Sequence, residues 1–337
     1  MIKEEQAGGI ETAAPKGFAI KEVLLGIIVS SGVFLTMGLL PSAGITAGIF
    51  APFIFMYFHL KLGRIPGLLV LTATMVVLEA VAYQAGIRTN LAVVFMMGSS
   101  GLILAEFLRK NFVFEKTVFY SVMILVGMGA LFLGIYSFYI GEQPWNLVQA
   151  YVNAGIRESI KSYAEWGISQ EQVDLIRNNA DLIAKTVYHL LPSFVIMGTI
   201  LFLWINVLAG KLLLSKRGIG FPELGDLSCW KIPDQMVWYV IASAVLILIP
   251  VDRVQIAGLN LLFIFLFVYL FQGLSIINFF FRHKNVPVII RGVFYFLIFA
   301  QHFLLLLVIC LGFFDIWIDL RKLNKIAKDP SESTVES

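Results

Sequence analysis

Long runs of Leu, Ile, Val and Phe fill the chain between Ile20 and Phe314. They lack the alternation of apolar and polar positions that marks a half-buried strand. Nine runs stand out, at Ile20–Leu40, Gly44–Phe58, Ile65–Ile87, Leu91–Leu108, Thr117–Ile140, Tyr188–Leu214, Met236–Ile249, Ala257–Phe281 and Gly292–Phe314. Most approach the roughly twenty residues that an α-helix needs to cross a bilayer core of about 30 Å. Inside lipid the backbone must satisfy its own hydrogen bonds, which leaves helices as the spanning element. The pattern therefore predicts an all-α fold, a polytopic transmembrane helical bundle of about eight or nine spans. Pro52 interrupts the second run and Pro250 closes the short seventh, which marks both as broken or re-entrant segments or as full crossings.

One segment departs from this pattern. From Gly141 to Thr186 the chain has water-soluble character, and Ser169-Gln170-Glu171-Gln172 forms a capping box, whose Ser and Gln side chains satisfy orphan amides at a helix start. Beyond it Ile176, Ala180, Ile183 and Val187 recur at helical spacing, with Asp174, Arg177, Asp181 and Lys185 on other faces. Residues 141–186 thus read as an amphipathic, extracytoplasmic helical hairpin. Two roles fit it: a lid over an outward-opening cavity, or a surface hairpin whose apolar stripe packs on the bundle or on headgroups.

Composition agrees with a membrane protein, since 59% hydrophobic residues and 29 Phe exceed what a soluble domain can hide from water. The net charge of +3 is dispersed among short connections, so a nucleic-acid footprint is missing. Cys229 lies in a polar connection and Cys310 in an apolar run, which argues against a disulfide or a zinc site. Residues 1–19 read as a flexible polar tail without the features of a cleaved signal peptide. Residues 20–320 form the transmembrane domain, and 321–337 a polar C-terminal tail.

Basic residues orient the bundle, because translocation disfavours Lys and Arg in short loops. With the N-terminus inside, Lys61 and Arg64, then Arg109, Lys110 and Lys116, then Lys216, Arg217 and Lys231 all fall on the cytoplasmic side. Outer connections carry single basic residues such as Arg88 and Arg253. The end of the chain is ambiguous. Nine crossings put Arg282, Lys284 and Arg291 inside but Arg321, Lys322, Lys325 and Lys328 outside, eight exchange the assignments, and charge alone leaves both open.

Polar residues inside spans are candidate sites because burying them without partners is costly. Glu79, in Val76-Val77-Leu78-Glu79-Ala80, is the sharpest: a cation or substrate contact, a proton relay, or a hydrogen bond to a neighbouring helix. Glu106 precedes Arg109 and Lys110 at the three- and four-residue spacings of one helix face, which predicts interfacial ion pairing. Asn206, Asn260, Gln272, Asn278, Gln301 and His302 are residue types that commonly join helices, at about 1 kcal/mol or less each. Gln272-Gly273 allows close backbone approach and can line a pocket. Gly44 with Gly48, and Ala130 with Gly134, permit tight helix contact. No HExxH, Gly-x-Ser-x-Gly or Walker sequence occurs, and the Gly218–Gly225 stretch lacks the strand context of a dinucleotide loop. The expectation is a non-enzymatic chain with no catalytic residues, no metal and no cofactor.

Two connections carry signatures. Phe221-Pro222 through Trp230-Lys231-Ile232-Pro233-Asp234 leads into the seventh run, and Gly312-Phe313-Phe314-Asp315-Ile316-Trp317-Ile318-Asp319-Leu320-Arg321-Lys322 closes the last. On these residues the chain resembles the YybS-like family of uncharacterised bacterial membrane proteins, a domain-of-unknown-function group distantly similar to the S-components of energy-coupling-factor vitamin transporters. The resemblance covers most of the chain and implies a multi-helix bundle in the bacterial cytoplasmic (inner) membrane, with a small-molecule pocket and no established substrate. S-components characteristically have six helices and dock a transmembrane partner.

The closing motif also has a physical reading. Asp315 and Asp319 share a helix face, Trp317 suits the membrane interface, and either Asp paired with a basic residue of another loop would fasten the end of the bundle. The reading that follows is a membrane binding or transport component. Glu79, Asn260, Gln272 and Gln301 form its polar pocket, the 141–186 hairpin covers it, and a small molecule is its ligand. The alternative is a non-transporting scaffold that positions a membrane protein partner through Trp230, Pro233 and Asp234 and through Gly312, Asp315, Trp317, Asp319 and Arg321. Both rest in the lipid bilayer.

Overall fold

In this computed structural model, residues 20–86, 90–214 and 228–321 are described. Of the segments read as polar tails, 1–19 and all of 321–337 except Arg321 lie outside the described residues. All regular structure among the described residues is helical, and the chain resolves into two compact units. Six helices are long and apolar enough to cross a membrane, and a seventh span results if the bent pair at the end of the chain counts as one.

The first unit contains α1 (Ile20–Leu39), α2 (Pro41–Ile49), α3 (Ala51–Leu62), α4 (Arg64–Ala85), α5 (Leu91–Arg109), α6 (Phe114–Ile140) and the part of α9 (Ala180–Leu214) beyond Gly198. The second run is indeed interrupted: α2 ends at Ile49, Phe50 adopts non-helical dihedrals, and α3 restarts with Pro52 in its first turn, where a missing N–H costs nothing. Phe34, Phe55, Phe58, Val70, Leu71, Leu78 and Val94 form the core that α1, α3, α4 and α5 share. Small residues set the spacing. Gly44 and Gly48 lie against Met37 of α1, as their spacing predicted, whereas Gly134 has no neighbour within 4 Å that an added Cβ would meet. Ser30 and Thr74 join α1 to α4 by a 2.6 Å hydrogen bond between two buried hydroxyls.

The second unit holds α7 (Pro144–Glu165), α8 (Gln170–Asn178), the first part of α9, then α10 (Met236–Leu248), α11 (Asp252–His283), α12 (Val288–Ala300) and α13 (His302–Ile318). Gly141, at φ +77°, supplies the left-handed turn that closes α6 ahead of α7. The Ser169 half of the capping box is in place: its hydroxyl accepts the Gln172 N–H at the start of α8. The hairpin, however, does not end at Thr186. Its second arm and the sixth run are one 35-residue helix, α9, because 180–214 offers no breaker except Pro192, which the helix accommodates.

The last run is likewise not one straight crossing. It starts as α12, stops at Gln301 and turns by 103° into α13. Gly273 of α11 and Gly312 of α13 meet where these two helices cross. A Cβ on Gly273 would collide with the Val308 carbonyl, and one on Gly312 with the Tyr269 carbonyl. Tyr269, Ile232 and Val240 form one core cluster of this unit and Leu270, Ile298 and Val308 another.

Candidate functional site

Two asparagines show what the intramembrane polar residues do. Asn206 of α9 sits at the α2–α3 break: its Oδ1 accepts the Phe53 N–H at 2.9 Å and its Nδ2 donates to Ile49 O at 2.9 Å and to Phe202 O. Residues 49 and 53 are the two ends that a regular helix joins directly. The amide, carrying one acceptor and donors, occupies the interruption. Asn260 of α11 repeats the device beside Pro192, with Oδ1 accepting the Ser193 N–H at 2.9 Å and Nδ2 donating to His189 O at 2.7 Å and Ile256 O at 2.8 Å.

Gln272 and the two signature segments belong to one buried network. The Gln272 Oε1 accepts the Ile232 N–H at 3.1 Å, and its Nε2 donates to Asp315 Oδ2 at 3.2 Å. The Arg321 guanidinium contacts Asp315 Oδ2 at 3.0 Å through Nη2, while Nη1 lies 2.9 Å from each of Ser228 O, Trp230 O and Ser275 Oγ. The other Asp315 oxygen caps the chain as it leaves α13, accepting the Leu320 N–H at 3.0 Å. The two side chains are only 1% and 0% exposed, so this ion pair is shielded from water. Asp315 was expected to pair with a basic residue of another loop. It pairs instead with Arg321 of its own segment, since Asp319 turns the chain back through a left-handed conformation at φ +47°. Arg321, the first residue of the expected C-terminal tail, is therefore part of the packed bundle.

The remaining predicted positions lie elsewhere. Glu79 is exposed on α4, and Gln301 is exposed at the 103° bend. Within the second unit Asn260 and Gln272 stand twelve residues apart on α11, roughly 18 Å at about 1.5 Å per residue, and each is buried against different partners. Trp230 is half-buried, Pro233 and Asp234 are exposed, and Asp234 pairs with Lys231 at 3.1 Å. Gly312 is buried at the α11–α13 crossing, Trp317 is 60% exposed with its ring edge-on to Phe313, and Asp319 is half-buried.

Glu106 differs from the expectation too. It bonds Arg64 through both carboxylate oxygens, at 2.9 and 2.8 Å, and His59 Nε2 at 2.7 Å. Proximity across helices outweighs the in-helix spacing, because Gly67 lets α4 approach closely enough to touch His59.

A polar cleft not singled out from sequence opens between α7 and α9 in the second unit. It is half open, with a volume of about 400 Å³, and is lined by Gln149, Asn153, Asp181, Ala184, Lys185, Tyr188 and His189. Trp145 packs edge-on against Tyr188, with ring centroids 5.4 Å apart. The signal was present as polar residues four apart on two facing amphipathic helices, Gln149 with Asn153 and Asp181 with Lys185 and His189. The register that brings these two sets face to face was the missing step, and only the fold supplies it.

No curated protein and no solved structure matches the chain. A family model described as a predicted membrane protein matches residues 28–316, from within the first span into the closing motif, and the chain belongs to that family, DUF2232.

Proposed function

We propose that this chain is a non-enzymatic, small-molecule binding component of a bacterial inner membrane, with a role in transport, and that its ligand enters at the α7–α9 cleft. The carrying observation is that cleft. At about 400 Å³ it falls in the range of small-molecule sites, and it combines an anion, a cation, two amides, an imidazole and a phenol. Such a lining suits a compact polar molecule bearing both charges. The α7–α8 hairpin then faces outside, at the entrance. Unit composition supports the likeness to S-components: in the first unit α1, the α2–α3 pair, α4, α5, α6 and the second part of α9 make six helical rods, the number typical of that group.

The test is native mass spectrometry of the protein purified in mild detergent from its own host. A co-purifying metabolite that is lost in Lys185→Ala and Asp181→Ala but kept in Glu79→Ala supports the cleft. A metabolite lost in Glu79→Ala alone returns the site to α4. A stoichiometric protein partner without any small molecule supports the scaffold reading, for which exposed Phe314 and Trp317 offer a contact surface.

A further inference from the structure

We propose that α12 and α13 form a re-entrant hairpin and that the chain end returns to the membrane face that carries the α11–α12 turn. Neither helix is long enough to span alone. With 13 and 17 residues they measure roughly 20 and 25 Å at about 1.5 Å per residue, against a core of about 30 Å, and the 103° bend at Gln301 keeps their lengths from adding.

Helix α11 serves as a ruler across the unit. Near its start Gly258 packs on Ser243 and Leu246 of α10, so the α10–α11 turn marks one face. Its stretch from Tyr269 to Ser275 receives the whole second half of α13 and the residues after it. Val308 packs on Leu270 and Gly273, Gly312 on Tyr269 and Gly273, Asp315 on Gln272, and Arg321 on Ser275. A helix crossing beside α11 would advance along it nearly residue for residue. Fourteen residues of α13 and its exit instead stay within seven residues of α11, and the last contact lies nearest the C-terminal end of α11. The segment travels across the bundle and not through the bilayer.

The exit point confirms the side. Arg321 bonds the carbonyls of Ser228 and Trp230, in the connection that enters α10 at the end opposite the α10–α11 turn. Helix α11 continues eight residues past Ser275 toward Arg282, His283 and Lys284, away from that turn. Lys231, Arg282, Lys284, Arg291 and Arg321 therefore share one face. Placing them together removes the conflict that a ninth crossing creates, since every multiply basic connection is then cytoplasmic. The Asp315–Arg321 pair latches the hairpin to the connection beside it.

Cysteine accessibility tests this. In a background with Cys229→Ser and Cys310→Ala, single cysteines are introduced as Lys284→Cys, Ser333→Cys and Glu158→Cys and exposed to a membrane-impermeant maleimide on intact cells and after permeabilisation. Lys284→Cys and Ser333→Cys are expected to share sidedness, each labelling at least tenfold more after permeabilisation. Labelling of these two positions from opposite sides overturns the proposal, and Glu158→Cys reports separately on the side of the hairpin. Should the cysteine variants fail to accumulate, a C-terminal green fluorescent protein fusion of the unaltered chain decides: fluorescence supports a cytoplasmic end, and a full-length dark fusion overturns it.

Discussion

Arg321 is the residue around which the second unit's buried Asp315–Ser275 network is built. It holds the Asp315 carboxylate, two carbonyls of the 228–230 strand of connection and the Ser275 hydroxyl, all out of water. Removing one member of a buried pair leaves its partner charged and unsolvated, which typically costs about 3–5 kcal/mol. Arg321→Ala is accordingly expected to lower the detergent unfolding temperature sharply. Arg321→Lys should rescue little, because an ammonium cannot reach a carboxylate and two carbonyls with the planar fork of a guanidinium. Equal stability of Arg321→Lys and the parent chain, measured by thermal unfolding, would contradict the role given to that fork. Asn206 and Asn260 illustrate a different kind of legibility. Their residue type announced interhelical bonding, but not that both amides would sit at helix interruptions near Pro52 and Pro192, since the partner backbone lies 153 and 67 residues away along the chain.

At the scale of elements, the close crossing of α11 and α13 depends on two glycines whose absent side chains let backbone approach backbone. Overpacking a tight contact costs about 1–3 kcal/mol, and more when the obstruction is backbone that cannot rotate aside. Gly273→Val and Gly312→Val should each destabilise the protein by at least that amount. Gly134→Ala, facing open space on α6, should change stability by no more than about 0.5 kcal/mol. Comparable losses for all three, read from unfolding midpoints in detergent, would sink the crossing as a determinant of stability. Elements also show where periodic reading stops. The start of α8 and the amphipathic second arm were plain from the capping box and the apolar spacing. The continuity of α9 was not, because a change from amphipathic to wholly apolar surface marks a change of solvent and leaves the backbone helix intact.

For the whole molecule, the amphipathic arms contribute little to packing: among the described residues only Val152 of α7 and Val173 of α8 are buried. Replacing residues 146–178 with a flexible Gly-Ser linker should therefore preserve a monodisperse, cooperatively unfolding bundle in detergent while abolishing ligand retention at the cleft, which loses Gln149 and Asn153. Aggregation of that variant, seen by size-exclusion chromatography, would instead make the hairpin a structural part of the fold.

The apolar runs alone determined that this chain lies in a membrane as helices, because lipid tolerates few other backbone solutions and the length of a run is measured against a fixed thickness. They also located the breaks near Pro52 and in the 141–186 segment. Sequence could not decide which polar residues serve a site. Glu79, Asn260, Gln272 and Gln301 look alike as polar positions in apolar runs, yet Asn260 is taken up by backbone groups, Gln272 by the Ile232 N–H and the Asp315 carboxylate, and the other two are exposed, and that difference depends on which helix comes alongside. Nor could it decide the course of residues 288–321. A run of apolar side chains is the same whether its helix crosses the bilayer or turns at Gln301, and the turn is fixed by Gly273, Gly312, Asp315 and Arg321 meeting their partners on α11 and the 228–232 connection, contacts that exist only once the chain has folded.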